Sequence, residues 1–260
     1  MASKEELIKR WDSFLFKIET RFNESLMHAE EACHEQLIDT DYQYDTVMRS
    51  WMGMKAQIDA LIEKIDEVWD AKVSIEMEAV GDFTHDEGLK AYDLRHKLFY
   101  ALEDFQRKLE GEISEKFYSH AIQIANKKAS CSQCNADLEI KKDIFRAQYL
   151  TCKFCNTVNT VEPETEFLKI GWGIVDNIAA LKTNETYKNM NLAAAAIQEY
   201  RGQAPSEYWA TYENLYTEYW SQFFTERMAL NSDLKERFAL DMERKKKEFE
   251  NYKEIQTKNK

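Results

Sequence analysis

Apolar side chains recur every three or four residues through the first half of the chain, which is the spacing of the buried face of an α-helix. The first run extends from Leu7 to Leu37. It starts just after Ser3 and Glu6, whose side chains can form a capping box at a helix start. The pattern therefore predicts a first helix over about residues 3–38.

The second run has a stricter spacing. Its apolar residues alternate steps of three and four from Tyr44 through Ile58 and Leu61 to Val68. This is the heptad seam of a left-handed coiled coil. It predicts a second long helix, which Gly81 is expected to end.

A third run begins at Thr84, continues to Ile124 and predicts the longest helix. Because the links between the three runs are short, consecutive helices should lie antiparallel, so that the first and third run in the same direction. Residues 1–128 are thus expected to form an elongated antiparallel bundle of three long helices.

Residues 129–162 interrupt this pattern with β-forming side chains and four cysteines. Helical spacing then returns, with breaks at Thr183, Gly202 and Asn231. Residues 163–260 are therefore expected to form four shorter helices that pack on the bundle. The predicted fold class is all-α, with a small β insertion between the two helical parts.

Composition supports this fold class. The 260 residues include only 7 glycines and 2 prolines, whereas average usage of the two together is about 12%. Turns are scarce, which excludes an all-β fold with its frequent hairpins. The 47 acidic and 35 basic side chains give a net charge of −12, which disfavours binding to nucleic acid or to an anionic membrane.

The cysteines carry the one specific chemical signal. Cys131 with Cys134 and Cys152 with Cys155 form two C-x-x-C pairs that are 17 residues apart, a spacing typical of zinc sites. Each pair can form a knuckle whose backbone N–H groups point at the sulfurs, and four thiolates close a tetrahedron around one divalent ion.

The residue that follows the second cysteine of a knuckle usually has a positive φ. Asn135 and Asn156 occupy these two positions, and asparagine tolerates the left-handed region best after glycine. The stretches CSQCNADLEI and RAQYLTCKFCNTVNTV together resemble a zinc ribbon, over residues 129–161. The resemblance implies two knuckles, a small three-stranded sheet and one structural Zn²⁺.

Three alternatives to structural zinc stay open at this point. Disulfides or a redox dithiol pair are favoured in an oxidising compartment or a thioredoxin-like context. An iron centre like that of rubredoxin would need an electron-transfer partner site. A catalytic zinc would need an open coordination position, whereas four thiolates leave none.

Basic side chains surround the cysteines. We expect four of them to contact an acidic surface on a protein partner or on another copy of the chain: Lys141, Lys142, Arg146 and Lys153. Three aromatic residues, Phe145, Tyr149 and Phe154, could instead stack on nucleic-acid bases. In so small a sheet, however, we expect these rings to form its core.

No catalytic residue or small-molecule substrate is indicated. Glu31 with His34 and Asp93 with His96 have the spacing found in di-iron helical bundles. In parallel helices, however, the two pairs would lie roughly 30 Å apart, so both are interpreted as solvated faces. Cys33 falls on the apolar stripe and is interpreted as a core residue.

Two further segments have a structural and a functional interpretation. Eight of the 17 residues at 208–224 are aromatic. Such a helix is expected to pack between neighbours, although a partner groove is an alternative. The basic run at 244–247 is expected to be a solvated face, and contact with a membrane surface is its alternative.

The function hypothesis that follows is a non-enzymatic scaffold or adaptor for protein–protein interaction or assembly, with the zinc ribbon as its docking module. A nucleic-acid-associated protein that uses the basic ribbon is the alternative. No apolar run is long enough for a transmembrane segment, and the first residues lack the apolar stretch of a signal peptide. A cytoplasmic location is therefore expected.

Overall fold

The computed structural model of the protein describes residues 3–81, 84–139, 147–162 and 165–258, with the backbone alone at 125–128 and 165–172. Of the described residues, 82% are helical, and their β-structure is one two-stranded antiparallel sheet with one isolated bridge. The predicted class, all-α with a small β insertion, is confirmed. The helical share is far above the typical one third of residues.

The described elements are as follows, in chain order. The first part holds α1 (Lys4–Asp39), α2 (Tyr44–Val68), a π-helical turn (Trp69–Val73), α3 (Ser74–Glu78) and α4 (Thr84–Lys128). The strands are β1 (Gln148–Thr151) and β2 (Val158–Val161). The last part holds α5 (Thr165–Lys182), α6 (Asn184–Glu199), α7 (Ser206–Leu230), a 3₁₀-helix (Ser232–Arg237) and α8 (Phe238–Lys258).

The chain divides into two compact units, Met1–Leu109 and Glu110–Lys260, with the boundary inside α4. The expected domains, 1–128, 129–162 and 163–260, were drawn where the sequence pattern changes and not from contacts between residues. That division stays a prediction. A continuous helix can cross a boundary between units, because its own hydrogen bonds do not depend on the packing of its faces.

Local sequence signals fix both ends of α1. The Ser3 Oγ accepts the Glu6 N–H at 3.3 Å, and the Glu6 carboxylate accepts the Ser3 N–H at 3.1 Å, which confirms the predicted capping box. At the other end, Asp41 has a φ of 51°. The Tyr42 N–H donates to the Leu37 carbonyl at 2.8 Å, so that the helix ends in a Schellman-type turn before α2.

Three ion pairs show that α1 and the first part of α4 run side by side in the same direction. Lys90 pairs with Asp12, Lys97 with Glu19 and Lys108 with Glu30, at distances of 2.6 to 2.9 Å. In each pair the partners are 78 residues apart in sequence. Because the offset between partners stays at 78 residues, α1 and this part of α4 keep one axial register and run parallel. This is the arrangement expected for the first and third helices of an up-down-up bundle.

The buried side of α2 differs at one step from the predicted seam. Ile62 is buried, whereas Leu61 is only half-buried. A helix with 3.6 residues per turn drifts by about 20° per heptad from a strict seven-residue repeat. The steps after Ile58 are therefore four and then three, and the buried side returns to the predicted seam at Ile65. The coiled-coil interpretation of α2 stays a prediction.

The π-helical turn after α2 was not predicted. Steps of four residues lead from Ile65, which is buried, through Trp69 to the buried Met77. The wider turn keeps these steps on one face. The Trp69 ring lies 5.4 Å from that of Trp11, and a Cβ added at Gly88 would be 3.0 Å from Trp69. The glycine thus leaves room for the indole.

The core of the second unit is built around α7, which packs against α5, α6 and α8. Five aromatic residues of α7 are buried in it: Trp209, Tyr212, Tyr219, Phe223 and Phe224. The packed interpretation of the aromatic segment is therefore the one that the structure supports. Arg227 at the end of α7 pairs with Asp176 of α5 at 2.6 Å, and its guanidinium also lies 3.9 Å from Asp241 of α8.

A close approach joins α4 to α5 within the second unit. A Cβ added at Gly111 would lie 2.4 Å from the Leu181 Cβ and 2.9 Å from the Asn177 carbonyl oxygen. Ser114, one turn further along α4, is buried and accepts a hydrogen bond from Asn177 Nδ2 at 3.3 Å. Small side chains on α4 therefore form the surface on which α5 lies.

Candidate metal centre

The four cysteines lie in a small module between α4 and α5. Its sheet pairs β1 with β2 in antiparallel register, from Gln148 opposite Val161 to Thr151 opposite Val158. An isolated bridge joins Ser130 to Asp137. The expected sheet had three strands; the described residues form two strands and this bridge, and residues 140–146 lie outside the described part of the chain.

Both C-x-x-C pairs form the same tight turn. In the first, the Asn135 N–H donates to the Cys131 carbonyl at 2.9 Å. In the second, the Asn156 N–H donates to the Cys152 carbonyl at 3.0 Å. The two asparagines have φ values of 55° and 59°, so the predicted positive φ after each second cysteine is confirmed.

The two turns bring the sulfur atoms of all four predicted cysteines together. Each offers a sulfur within 4.8 Å of the other three. The Cys131 and Cys155 sulfurs are 3.4 Å apart, and those of Cys134 and Cys152 are 3.6 Å apart. All five cysteines of the chain are described and none forms a disulfide, which would need a separation of about 2.05 Å.

The spacing of the sulfurs fits a metal ion. Four thiolates at a metal–sulfur distance of about 2.3 Å in a tetrahedron would be about 3.8 Å apart, close to the two measured separations. The cluster is therefore compatible with a site like that of a zinc ribbon, in which Cys131, Cys134, Cys152 and Cys155 could bind one ion.

Hydrogen bonds from the knuckles favour the thiolate form at Cys131 and Cys155. The backbone N–H groups of Cys134 and Gln133 lower the pKa of Cys131 to about 6. The hydroxyl and N–H of Thr157 lower the pKa of Cys155. The Phe154 N–H donates to the Cys152 sulfur at 3.4 Å. Amide groups that point at the sulfurs stabilise the negative charge that a metal requires of its ligands. At Cys134 the Ala136 N–H lowers the pKa, but the neighbouring sulfurs and desolvation outweigh it and raise the pKa to about 12, because thiols so close together cannot all lose their protons without a cation.

The core of the module consists of aliphatic side chains and cysteines: Ala129, Cys131, Leu138, Leu150 and Cys152. The expectation that aromatic rings form this core is wrong for the two described rings. Tyr149 is 76% exposed and Phe154 is 80% exposed. Phe145 lies outside the described residues.

A sequence signal for this outcome exists in β1. Side chains alternate between the two faces of a strand, and Leu150 points into the core. Tyr149 must therefore face outward. Val158, which is 61% exposed, lies on the same outer face, because its partner across the sheet is Thr151. Attention to the period of two would have identified this exposed patch.

Of the four cations expected to contact a partner, one is described. Lys153 is exposed in the second knuckle, and its ammonium lies 3.7 Å from the carboxylate of Glu139, which is equally exposed. Lys141, Lys142 and Arg146 lie outside the described residues. An exposed pair at this distance contributes little stability, so Lys153 remains available to a partner.

Other residues singled out in the sequence lie on the buried or the exposed faces of helices. Cys33 is fully buried, and burial raises the pKa of its thiol to about 11, as expected for a core cysteine. Glu31 and Asp93 are both exposed. In the basic run of α8, Lys247 pairs with Glu243, and both Arg244 and Lys245 pair with Glu248. Arg244, Lys246 and Lys247 are exposed, as expected for a solvated face, whereas the Lys245 ammonium lies 3.8 Å from the centroid of the Trp220 ring.

Comparison with protein-family models, with curated proteins and with solved structures gives no match for this chain. Among the described helices, none combines the length and the apolar character that a membrane span requires.

Proposed function

We propose that the protein is a non-enzymatic scaffold or adaptor in which a zinc-bound module serves as the docking site for a protein partner. The observation that carries this proposal is that three large apolar side chains of the cysteine module are exposed, Tyr149, Phe154 and Val158, together called the ribbon patch here. Exposed aromatic side chains held on a rigid element are the residue types that dominate protein–protein interfaces.

Zinc is the metal that the ligand set favours. Four thiolates select zinc or iron over calcium and magnesium, which prefer oxygen ligands. Four protein ligands also leave no position for water or substrate, which is typical of a structural site rather than a catalytic one. The role of the ion would be to hold Cys152 and Cys155 in place, and with them the loop that presents Phe154.

The metal would also make docking less costly. A loop that becomes ordered only on binding loses conformational entropy at that step. Here the ribbon patch lies on β1, on β2 and in the second knuckle, all of which the sheet and the metal would order beforehand. A preorganised patch can therefore bind a partner with a smaller entropic penalty.

Charge favours a protein partner over a nucleic acid. Residues 129–162 carry four cations, Lys141, Lys142, Arg146 and Lys153, against four acids, Asp137, Glu139, Asp143 and Glu162. Four thiolates with one divalent ion add further negative charge. An acidic partner surface could contact Lys153, whereas nucleic acid binding requires an excess of cations, and the module with its thiolates and a divalent ion would have none.

The proposal is tested by removing the ribbon patch while keeping the metal ligands. In the variant Tyr149→Ser with Phe154→Ser, we expect the loss of partners that co-purify with the wild-type chain, at unchanged zinc content. The matched control is Phe16→Ser in α1, which removes an aromatic ring that is exposed to a similar degree. Partners retained by the first variant, or lost equally from the control, would contradict a docking role for the module.

The alternative function, association with nucleic acid, is favoured by one observation. Exposed rings beside a cation, as in Tyr149, Phe154 and Lys153, are the groups on which single-stranded bases stack. Binding of a fluorescent single-stranded oligonucleotide, measured at several salt concentrations, decides between the two. Affinity that falls steeply with salt and is lost in the ribbon-patch variant would favour nucleic acid. No binding at low salt would exclude it.

A further inference from the structure

One polar side chain is buried inside the cysteine module although the apolar core surrounds it. Asn159 is 7% exposed and lies in β2, on the inner face of the sheet opposite Leu150. A buried amide group is tolerated only when its hydrogen bonds are made. The partners of Asn159 therefore show what the residue does.

The oxygen end of the amide contacts the first knuckle. Asn159 Oδ1 accepts the Ser132 backbone N–H at 2.8 Å and the Ser132 hydroxyl at 2.9 Å. Ser132 follows Cys131 directly in the sequence. The side chain of a residue in β2 thus holds the backbone of the other knuckle, across 27 residues of sequence.

The nitrogen end faces three acceptors. Nδ2 donates to the Thr157 carbonyl at 3.0 Å, and it lies 3.5 Å from the Leu150 carbonyl and 3.6 Å from the Cys131 sulfur. The orientation of the amide is unambiguous, because a backbone N–H lies at one end and backbone carbonyls lie at the other. An N–H group must therefore point toward the carbonyls and the sulfur.

We infer that Asn159 is the positioning residue of the metal centre: it fixes the two knuckles relative to each other and donates an N–H to the Cys131 thiolate. The inference rests on the proposed metal binding. A hydrogen bond to a ligating sulfur offsets part of the negative charge that four thiolates bring to one divalent ion. The bonds to Ser132 and Thr157 keep the knuckles at the separation that a tetrahedron needs.

The sulfurs then differ in their reactivity. Cys131 is buried and bonded to Asn159, whereas Cys134 is exposed. In the metal-bound protein, Cys134 should be the first ligand to react with an alkylating reagent, and Cys131 should be protected. Loss of the Asn159 amide removes this protection at one sulfur in particular, which a general loss of stability would not do.

The test compares Asn159→Ala and Asn159→Asp with the control Thr160→Ala, an exposed residue of the same strand. The Asp variant keeps the shape and the acceptor for Ser132, but it cannot donate to Cys131. Zinc affinity is measured by competition with a chelator, and the alkylation rate of each cysteine by mass spectrometry of the zinc-loaded chain. We expect both Asn159 variants to weaken zinc binding by about 10–100-fold and to speed alkylation of Cys131 relative to Cys134.

The outcomes separate this inference from the proposed function. If the wild-type chain binds zinc and both variants bind it equally well, with the same order of alkylation, the role of Asn159 is overturned and the metal centre stands. A wild-type chain that binds no zinc overturns both. If Thr160→Ala weakens binding as much as the Asn159 variants do, the effect belongs to the strand and the inference also fails.

Discussion

At the scale of single residues, backbone conformation places the sulfur atoms. Asn135 and Asn156 take left-handed φ values of 55° and 59°, and this reverses the chain after the second cysteine of each pair. The same turn occurs twice with different residues between the cysteines. The conformation therefore depends on the asparagine positions and not on the side chains within the turn.

Substitution of Asn156 tests this requirement. Asn156→Val places a β-branched residue in the left-handed region, at a cost of about 1–2 kcal/mol, so zinc affinity should fall about tenfold. Asn156→Gly is the control, because glycine adopts this φ without strain and should bind zinc at least as well as the wild type. Competition with a chelator measures both. Equal affinity of the Val and Gly variants would contradict the conformational requirement.

At the scale of elements, the packing of α5 against α4 depends on Gly111, the position at which α4 has no side chain. The approach of α5 is so close that a methyl group at Gly111 would lie only 2.4 Å from the Leu181 Cβ, nearer than two carbon atoms can pack. Gly173, on α5 itself, has no atom within 4 Å of the corresponding position. Gly111 is therefore required for the close packing of α4 and α5, whereas a side chain at Gly173 would meet no other atom.

The pair gives a matched prediction. Gly111→Ala should lower the free energy of unfolding by about 1–3 kcal/mol, since α5 must shift to accommodate the methyl group. Gly173→Ala should raise it by about 0.5–1 kcal/mol, because alanine is the better helix former. Urea unfolding followed by circular dichroism measures both changes. A Gly111→Ala chain as stable as the wild type would show that α4 and α5 do not pack this closely.

The aromatic core around α7 predicts sensitivity to high pH. Burial raises the pKa of Tyr212 to about 12, from an ordinary value of 10.0. A raised pKa in the folded state means that folding favours the neutral phenol. The contribution of Tyr212 to the free energy of unfolding is therefore fully present below about pH 10 and is lost as the pH rises toward 12. The urea concentration at the unfolding midpoint should therefore be lower at pH 11.5, where part of this contribution is lost, than at pH 9, where it is fully present.

The matched variants are Tyr212→Phe, which removes the titrating group from the core, and Tyr149→Phe, which removes one from the surface. The first should reduce the loss of stability at high pH, and the second should leave it unchanged. An identical pH dependence in all three chains would show that Tyr212 is not the group responsible.

The elements also show which features local sequence predicts. The bounds of α1 and the capping box at Ser3 follow from apolar spacing and capping residues, which act within a few neighbours. The π-helical turn at Trp69 depends on the packing of its indole against Trp11 and Gly88, from other helices. No pattern within Trp69–Val73 carries that information, so an unbroken helix was the natural expectation.

The same distinction holds in the cysteine module. Ligand spacing and the positive φ at Asn135 and Asn156 are local properties and were predictable. Asn159 was not identified, because its partners lie in the other knuckle, far away in sequence. Its position in β2 resembles that of any polar strand residue until the register of the sheet is known.

At the scale of the whole molecule, the described side chains of the second unit include two distinct hydrophobic clusters. The core of the cysteine module and the core around α7 share no residue. Removal of the metal should therefore disrupt the module and leave the helices folded. Circular dichroism of the chelated protein is expected to keep almost all of its helical signal. A collapse of that signal would show that the module holds the helices together.

The central claim is that Cys131, Cys134, Cys152 and Cys155 bind one zinc ion. The most direct measurement is elemental analysis of the purified chain alongside the variants Cys152→Ser and Cys33→Ser. We predict one zinc per chain in the wild type and in Cys33→Ser, whose thiol is buried in the helical core, and a loss of bound zinc in Cys152→Ser. Iron in place of zinc, no metal in the wild type, or full zinc retention in Cys152→Ser would contradict the claim.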